Sequence, residues 1–576
     1  MLRLRVLLPL VLFTSTAFSA NPTWVEVHSK NFNVLTDAGE KRGQEVARRF
    51  EEVHSAFGAI FQKMNASATP LQIIAFRNNK ELKPYGPMWK GKPVQVDGFF
   101  QGAKDKNFVG LDLSSEGGWH VVFHEYVHLL FNSNMPPAPA WFDEGFADYF
   151  STLTVSGKTI EFGAIPVGYP QLLSTARWMK CTDLFAIKHD SNEYNEGDRR
   201  TLFYAQSWLT IHYVMSQHRL PEVTKYLNLI NNQHLGIAEA IQQAFGMTPD
   251  QFDKTLHDYF MGRTLIFRVA APLNMERGPF EAKVADPMFV EASLADLHAH
   301  ELDHMNEGLE EFRKIVAKDP NNLIAQRGLA YWYLQKNDYE HAAEHLERAA
   351  ASDGADPEVH YFNAMVVSER DGDAAKVRAE LHKAVQLNPS YADALTMLGV
   401  MEAQSGDKKE ALKYANRAVE LGPRNDNYLA NLVFVQLRNE LYDEAEPSLK
   451  QLAESTNPAI AENAEKNLIE LKEIKRRRQD EVKAAGKRLG EDIALDSSLP
   501  RGQMINANGI LTAVECDENT ATLHVNASGK ALNLKVRDVG SVVVVNADRF
   551  SCDWKDRAVS VNYFPETHVV ISVALR

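Results

Sequence analysis

The fold of the first half of the chain is decided by residues 119–150, which read WHVVFHEYVHLLFNSNMPPAPAWFDEGFADYF. Two strongly apolar runs flank prolines at positions 136, 137 and 139, and proline both ends one helix and begins the next. The stretch therefore predicts two buried helices joined by a tight turn. His124 and His128 are four residues apart, so they share one face of the first helix and are close enough to hold one metal ion together.

Three acidic residues complete this pattern. Glu125 projects about 100° away from His124 around the helix, beside the metal, where it can hold and deprotonate a water molecule. Glu144 lies among apolar residues, and a buried carboxylate without a partner is unfavourable; a zinc ion would be that partner. Asp148 shares the face of Glu144 and can accept the free N–H of a ligating histidine. We predict one Zn²⁺ held by His124, His128 and Glu144, with Glu125 as general base and Asp148 in support.

The same residues also have structural interpretations. The two histidines could form a buried pair hydrogen-bonded to backbone or carboxylate groups, and Asp148 could lie at the rim of its helix. Gly145 would remove a side chain where the two helices cross, or it is only an accident of packing.

The motif resembles that of a known family. His124-Glu125-x-x-His128, followed by Trp141-x-x-Glu144-Gly145, is similar to the gluzincin zinc peptidases, and most of all to their peptidase-MA-like bacterial branch. In that branch such a domain is often joined to tetratricopeptide repeats. The resemblance implies a thermolysin-like α+β zincin catalytic domain, here residues 21–270, that hydrolyses peptide bonds with zinc-activated water.

Two departures from the family pattern bear on substrate choice. Only 15 residues separate His128 from Glu144, fewer than in thermolysin, so the connection must be tight. No Gly-x-Met-Glu-Asn-like segment precedes the motif; Gly98-Phe99-Phe100 occupies that region instead. This favours an endopeptidase over an aminopeptidase.

A second group should stabilise the oxyanion of the transition state. Tyr204 opens a later helical pattern, Phe203 to Trp208, which resembles the Tyr-x-x-Ser segment of the same branch. We predict Tyr204 as this donor, with a core tyrosine as the alternative and His212 as a weaker candidate. The strand pattern at residues 108–113 is predicted to form the edge of the cleft, where an extended substrate would pair.

From about residue 290 the sequence repeats. Pro389 and Pro423 are 34 residues apart, as are Ala384 and Ala418, and this is the tetratricopeptide period. The resemblance to tetratricopeptide repeats covers residues 288–458 in four to five units. We predict an α-solenoid over residues 285–460 that binds a protein partner.

The remaining segments are predicted from local pattern. Residues 461–495 read as a charged helical linker, and short alternating runs after residue 500 read as a small antiparallel β domain over 500–576. Cys516 and Cys552 could pair there, which leaves Cys181 over; the pattern does not decide this.

The first 20 residues resemble a signal peptide. Arg3 and Arg5 precede an apolar run that ends in small residues near Ala20, as an export signal does. The run is shorter than the roughly 20 residues that a bilayer requires, and no later segment is suited to span a membrane. Export to the periplasm or the medium is predicted, and the assignment to bacteria depends on the family resemblance.

Length and charge bound the function. A chain of 576 residues is too long for one core, so we predict a multidomain, mainly α protein. With 62 basic and 76 acidic residues the net charge is −14, which argues against a nucleic-acid partner. The basic run at residues 475–478 reads as a solvated helix face.

Two functional hypotheses follow from these patterns. The first is an exported zinc peptidase acting on a peptide or protein substrate, with repeats that recruit a protein client. The alternative is a tetratricopeptide adaptor or scaffold with a structural or inactive metal domain. A zinc hydrolase with a non-peptide substrate is a third possibility. Substrate, partner and oligomeric state are left open.

Overall fold

The computed structural model describes residues 23–61, 69–89, 92–103, 105–189, 198–231, 233, 235–262, 267–270, 275–352, 354–370, 372–405, 407–495, 504–547 and 549–575. The predicted signal peptide, residues 1–20, lies outside the described residues. The chain divides between Leu471 and Lys472 into two compact units. Within the described ranges, no helix combines the length and apolar character needed to cross a membrane.

A six-stranded mixed sheet organises the N-terminal domain. Its order is β11-β1-β2-β3-β7-β6; β2, β3 and β7 run parallel, and the other neighbours pair antiparallel. Helix α1 (Glu40–Phe61) packs against β1 and β2. The strands are β1 (Val25–His28), β2 (Asn33–Thr36), β3 (Leu71–Phe76), β6 (Gly98–Gly102), β7 (Asn107–Asp112) and β11 (Glu281–Val284). The sheet thus takes its last strand from beyond residue 270.

The cleft-edge prediction for residues 108–113 is wrong. Strand β7 lies inside the sheet, between β3 and β6. The chain turns back after β6 and then forms β7, so β6 covers the outer side of β7. The hairpin pairs Gly98 with Leu111 and Gly102 with Asn107. Strand β6 is therefore one edge of this sheet, and β11 is the other.

Short elements and a helical layer complete the domain. A short helix and a 3-10 turn, Lys83–Tyr85, follow β3, and β8, β9 and β10 form a small antiparallel sheet. The bounds are α2 (Asn79–Leu82), β4 (Met88–Trp89), β5 (Lys92–Pro93), α3 (Gly117–Asn134), α4 (Ala140–Ser151), β8 (Thr154–Ser156), β9 (Thr159–Phe162), α5 (Tyr169–Thr175), α6 (Cys181–Ala186), α7 (Asp198–Ser216), α8 (Leu220–Asn231), α9 (Ile237–Phe245), α10 (Pro249–Met261) and β10 (Phe267–Ala270).

Helix α4 is the centre of this layer, since all of its residues are buried. It packs between α3 and α7. The rings of Phe131, Phe146 and Phe150 pack against one another in tilted pairs at the contact with α3, with centroids 4.5–4.6 Å apart. Its acidic residues consequently lie in the interior, where each needs a partner.

Gly145 is required at a different contact from the one predicted. A Cβ at this position would lie 2.3 Å from the carbonyl oxygen of Ser207 and 2.9 Å from Cγ1 of Ile211, both on α7. The glycine therefore allows α4 to approach α7, the helix that carries Tyr204, rather than α3.

Among the described residues, the ten helices that follow the N-terminal domain directly pack as five consecutive pairs. First helices of neighbouring pairs touch one another, α11 with α13, α13 with α15 and α17 with α19, and so form one layer of the array. The pairs are α11 (Pro287–His300) with α12 (Met305–Lys318), α13 (Leu323–Gln335) with α14 (Tyr339–Ser352), α15 (Pro357–Arg370) with α16 (Ala374–Leu387), α17 (Ala392–Ser405) with α18 (Lys408–Leu421), and α19 (Asp426–Arg438) with α20 (Tyr442–Ala453). Helix α21 (Pro458–Leu495) follows. The predicted helical solenoid is confirmed.

The second unit ends in a closed β sheet. Its order is β14-β13-β12-β16-β17-β15, and β14 also pairs with β17. The strands are β12 (Ile505–Asp517), β13 (Thr520–Ala527), β14 (Lys530–Val536), β15 (Val543–Val545), β16 (Arg557–Phe564) and β17 (Val569–Leu575). A β domain is as predicted, but β14 and β15 both pair parallel with β17. Cys516 and Cys552 are joined by a disulfide, and Cys181 is a buried free thiol.

The Gly145 contact predicts opposite effects for two helical glycines. Gly145→Ala should destabilise the protein by about 1–3 kcal/mol, because the methyl group has no room against α7. The matched control is Gly58→Ala in α1, where no atom lies within 4 Å of the added Cβ; it should stabilise by about 0.5–1 kcal/mol through helix propensity alone. Urea unfolding followed by tryptophan fluorescence compares the midpoints. Equal shifts in the two variants would show that α4 and α7 are not in close contact.

Candidate metal centre

Three predicted ligands meet between α3 and α4. His124 Nε2 lies 3.0 Å from Glu144 Oε2 and 3.1 Å from His128 Nε2, and His128 Nε2 lies 3.4 Å from Glu144 Oε2. Bonds of about 2.0–2.1 Å to a tetrahedral zinc ion would separate such atoms by about 3.3 Å. The spacing of the three atoms fits one zinc ion.

The tautomer of His124 shows why a cation belongs at this point. Its Nδ1 lies 2.7 Å from Asp148 Oδ1, and an ionised carboxylate only accepts hydrogen bonds, so Nδ1 must donate. In the neutral ring this leaves a lone pair on Nε2, which faces the carboxylate of Glu144. Two acceptors this close repel each other unless an extra proton or a metal ion lies between them.

The ionisation of the site reflects this conflict. Burial lowers the pKa of His124, but the hydrogen bonds with Asp148 and Glu144 outweigh it and raise the pKa to about 10. Burial would raise the pKa of Glu144, yet its hydrogen bonds with His124 and His128 hold that pKa well below the usual range. In the metal-free site the extra proton therefore lies on His124 at neutral pH, and a metal ion that bound there would have to displace it.

Asp148 has a second partner that the sequence pattern does not indicate. The hydroxyl of Tyr169, the first residue of α5, donates a hydrogen bond to Asp148 Oδ2. Burial and the neighbouring Asp148 charge raise the pKa of Tyr169 above its ordinary value, so it stays a donor. Both oxygens of Asp148 are thus engaged, which fixes the ring of His124. No local spacing links Tyr169 to Asp148; only the folded chain brings them together.

The predicted catalytic residues flank the three ligands. Glu125 is half-buried on α3, directly after His124. Tyr204 lies on α7, and its ring centroid is 6.1 Å from that of His124. His212 is on the same helix but is buried, with its Nδ1 2.7 Å from the hydroxyl of Tyr259, and this supports its structural interpretation.

His120 is a further histidine beside the site. It lies one helical turn before His124, and the two ring centroids are 6.5 Å apart. Burial lowers its pKa, so it is neutral at physiological pH. The spacing of four residues could have suggested it from the sequence.

A second group of possible ligands is explained by packing. His298, His304 and Glu307 also bring possible ligand atoms close together. Each ring already has a partner in the N-terminal domain: His298 Nε2 lies 3.2 Å from the carbonyl oxygen of Pro84, and His304 Nε2 lies 3.2 Å from that of Gly86. These contacts join the first helix pair to the domain.

Comparisons with known proteins identify the repeats. Two family models, each described as tetratricopeptide repeat, match residues 300–365 and 370–426. Tetratricopeptide repeat protein 21B of Mus musculus is 29% identical over 192 residues, which is 31% of this chain and 14% of that protein. The Homo sapiens protein of the same name is 27% identical over 209 residues, 34% of this chain and 15% of that protein. The chain therefore spans only about a seventh of the length of these relatives.

Two solved structures show the same kind of similarity. The chain is 18% identical to Pseudomonas aeruginosa pilF, with a TM-score of 0.29, over 37% of this chain and 96% of that one. It is 21% identical to YrrB, described as a TPR protein with an unusual peptide-binding site, with a TM-score of 0.26, over 31% and 90%. TM-scores this low carry no argument, so the assignment of the repeats depends on the family models. The chain contains tetratricopeptide repeats, which suggest a protein partner, and this supports the adaptor hypothesis more directly than the peptidase hypothesis.

The contact between Asp148 and His124 predicts a change in metal affinity. Asp148→Asn should weaken zinc binding about 10- to 100-fold, because the ring of His124 loses its charged support. Competition with a fluorescent chelator measures the dissociation constant. Asp183→Asn, an exposed aspartate of the same domain, is the control and should bind zinc like the wild type. Equal affinity in all three proteins would contradict a supporting role for Asp148.

The raised pKa of His124 predicts proton release. Below pH of about 10 the metal-free ring is protonated, so binding of one zinc ion near pH 8 should release about one proton from His124. Apparent zinc affinity should accordingly rise with pH up to about 10. Calorimetry in two buffers of different ionisation enthalpy counts the protons. A binding enthalpy that is the same in both buffers would contradict the arrangement.

Proposed function

We propose that the N-terminal domain is a thermolysin-like zinc peptidase that cuts within polypeptide chains. The observation that carries this proposal is the convergence of His124, His128 and Glu144 on one point, with Glu125 next to them on α3. A purely structural metal site has no need of a further acidic residue beside its three ligands. The resemblance of the motif to gluzincins supports the same activity.

Each residue has a defined role in the proposed reaction. Zinc, when bound, polarises the peptide carbonyl and lowers the pKa of water to about 7. Glu125 takes the proton of the attacking water and later passes it to the leaving amine. Tyr204 donates a hydrogen bond to the carbonyl oxygen as negative charge develops there. Asp148 and Tyr169 keep the ring of His124 in the orientation that zinc requires.

The position of strand β6 favours an extended polypeptide as the substrate. Strand β6 is the edge strand of the six-stranded sheet next to β7, and exposed backbone groups at a sheet edge can pair with a peptide. It also lies close to the helix with the histidines: a Cβ added to Gly98 would be 3.0 Å from Val122 Cγ2 and 3.2 Å from the carbonyl oxygen of Gly118. A substrate strand beside β6 would run next to α3.

Export of the protein is part of the proposal. The disulfide between Cys516 and Cys552 supports it, because disulfides persist in oxidising compartments and are rare in the cytosol. Together with the signal-like N-terminus, this favours the periplasm or the medium.

An adaptor function is the second candidate. The family matches favour it, because they fall on the repeats, and tetratricopeptide arrays offer extended binding surfaces. In that case the metal domain would be structural and the repeats alone would act. Both functions can also be combined, with the repeats recruiting a protein client for cleavage.

Cleavage of a mixed peptide library, followed by mass spectrometry, tests the peptidase. The wild type should produce internal cuts, and Glu125→Gln should slow them about 10²- to 10⁴-fold while it keeps its zinc, because only the base is lost. Tyr204→Phe should lower kcat about 10²- to 10³-fold.

The outcomes separate the two candidates. Internal cuts that vanish in Glu125→Gln establish the peptidase, and the fragment ends give its specificity. If wild type and variant both hold zinc and neither cuts any peptide, the peptidase proposal fails and the repeats become the functional part.

A further inference from the structure

One arginine of the repeat array contacts the N-terminal domain at the candidate metal site. Arg424 lies in the short connection between α18 and α19, and its guanidinium forms a two-pronged ion pair with Asp143 of α4. Nη1 lies 2.7 Å from Asp143 Oδ2, and Nη2 lies 2.9 Å from Oδ1. The side chains are only 13% and 5% exposed, so the pair is shielded from solvent and geometrically specific.

The rest of the guanidinium holds the turn between α3 and α4. Its Nε–H is shared between the carbonyl oxygens of Met135 and Pro136, at 3.1 Å each. The group also lies over the ring of Phe131, 5.6 Å from its centroid. Arg424 thus contacts the end of α3, the turn itself and the start of α4.

All of these contacts fall inside one segment of the chain. Residues 131, 135, 136 and 143 lie within the 15 residues that separate His128 from Glu144. Asp143 is the residue directly before Glu144. Because this segment connects two ligands from different helices, its conformation sets the distance between them.

We propose that Arg424 is a positioning residue of the metal site, through which the repeat array holds His128 and Glu144 at the spacing that zinc needs. This inference depends on the zinc site of the proposed function. Without Arg424, the buried carboxylate of Asp143 would lose its main counter-charge, since His189 Nε2 is 3.5 Å away on a side chain that is 44% exposed. Helix α4 would then move to solvate Asp143 and would take Glu144 with it.

The array holds Arg424 firmly from its own side. The side chain of Asn425 accepts hydrogen bonds from the backbone N–H groups at the start of α19. Tyr428 packs so closely on Gly422 that a Cβ there would lie 2.8 Å from its ring, and its hydroxyl donates to Asp393 at 3.0 Å. The connection from 422 to 425 is therefore linked through Tyr428 to α17, in addition to the two helices that it joins.

The test compares zinc affinity in full-length variants by chelator competition. Arg424→Ala should weaken zinc binding about tenfold or more, in the range measured for residues that orient metal ligands. The zinc affinity of Arg424→Lys should lie between those of the wild type and Arg424→Ala, because lysine keeps the charge but lacks the planar guanidinium group. The control Arg417→Ala removes an exposed arginine of α18 that pairs with Glu420 and should bind zinc like the wild type.

A double variant shows whether Arg424 acts through Asp143. Asp143→Asn combined with Arg424→Ala should bind zinc no more weakly than Arg424→Ala alone, because the uncompensated carboxylate is gone. If Arg424 and Asp143 contributed only to general stability, the losses of zinc affinity in the two single variants would add in the double variant. If Arg424→Ala does not fold, as judged by circular dichroism, Arg424→Lys and Asp143→Asn replace it.

The results distinguish this inference from the proposed function. If the wild type binds zinc and every Arg424 and Asp143 variant binds it with the same affinity, the positioning role is overturned and the proposed zinc site stands. A wild type that binds no zinc would overturn both. A loss in Arg424→Ala with partial recovery in Arg424→Lys and no loss in Arg417→Ala would support the role of Arg424.

Discussion

The N-terminal domain depends on one electrostatic constraint: a buried carboxylate, Glu144, faces the ring nitrogens of His124 and His128 at 3.0–3.4 Å. Such an arrangement is stable only with positive charge among the three groups. A proton on His124 satisfies it partly, and a divalent ion would satisfy it fully. The surrounding structure is consistent with this need, since Asp148 fixes which nitrogen of His124 faces inward and Tyr169 fixes Asp148 in turn.

The position of Glu144 follows from how α4 is packed. The helix is buried along its whole length, with α3 on one side and α7 on another. Gly145 permits the close contact with α7, and aromatic rings fill the contact with α3. Because both contacts are closely packed, the carboxylate of Glu144 is held away from solvent. Rigid packing of this kind holds metal ligands more precisely than a loop would.

The sequence predicts those features whose cause is local. The spacing of two histidines and the prolines at 136–139 indicate the helix hairpin, and a period of 34 residues indicates the repeats, which the family models confirm. Features with a tertiary cause were missed or misassigned. Strand β6 is an edge strand, and β7 is not, only because β6 pairs with the outer side of β7. Gly145 meets α7, which is separated from it by more than 50 residues. Tyr169 and Arg424 have no periodic relation to the residues that they contact, so no pattern in the chain could identify them.

The repeat array and the N-terminal domain are parts of one compact unit. Leu297 of α11 belongs to the same buried cluster as Ile74 and Phe108 of the sheet. Lys106, from the turn between β6 and β7, pairs with Asp296 of α11 at 2.8 Å. Tetratricopeptide arrays ordinarily gain or lose repeats with only local effects, since each repeat contacts its neighbours alone. In this protein the first helix pair contacts the N-terminal domain through α11. The connection between the fourth and fifth pairs contacts it through Arg424. A partner that bends the array would therefore act on the turn between α3 and α4, so a binding function of the repeats and a catalytic function of the domain would be physically coupled.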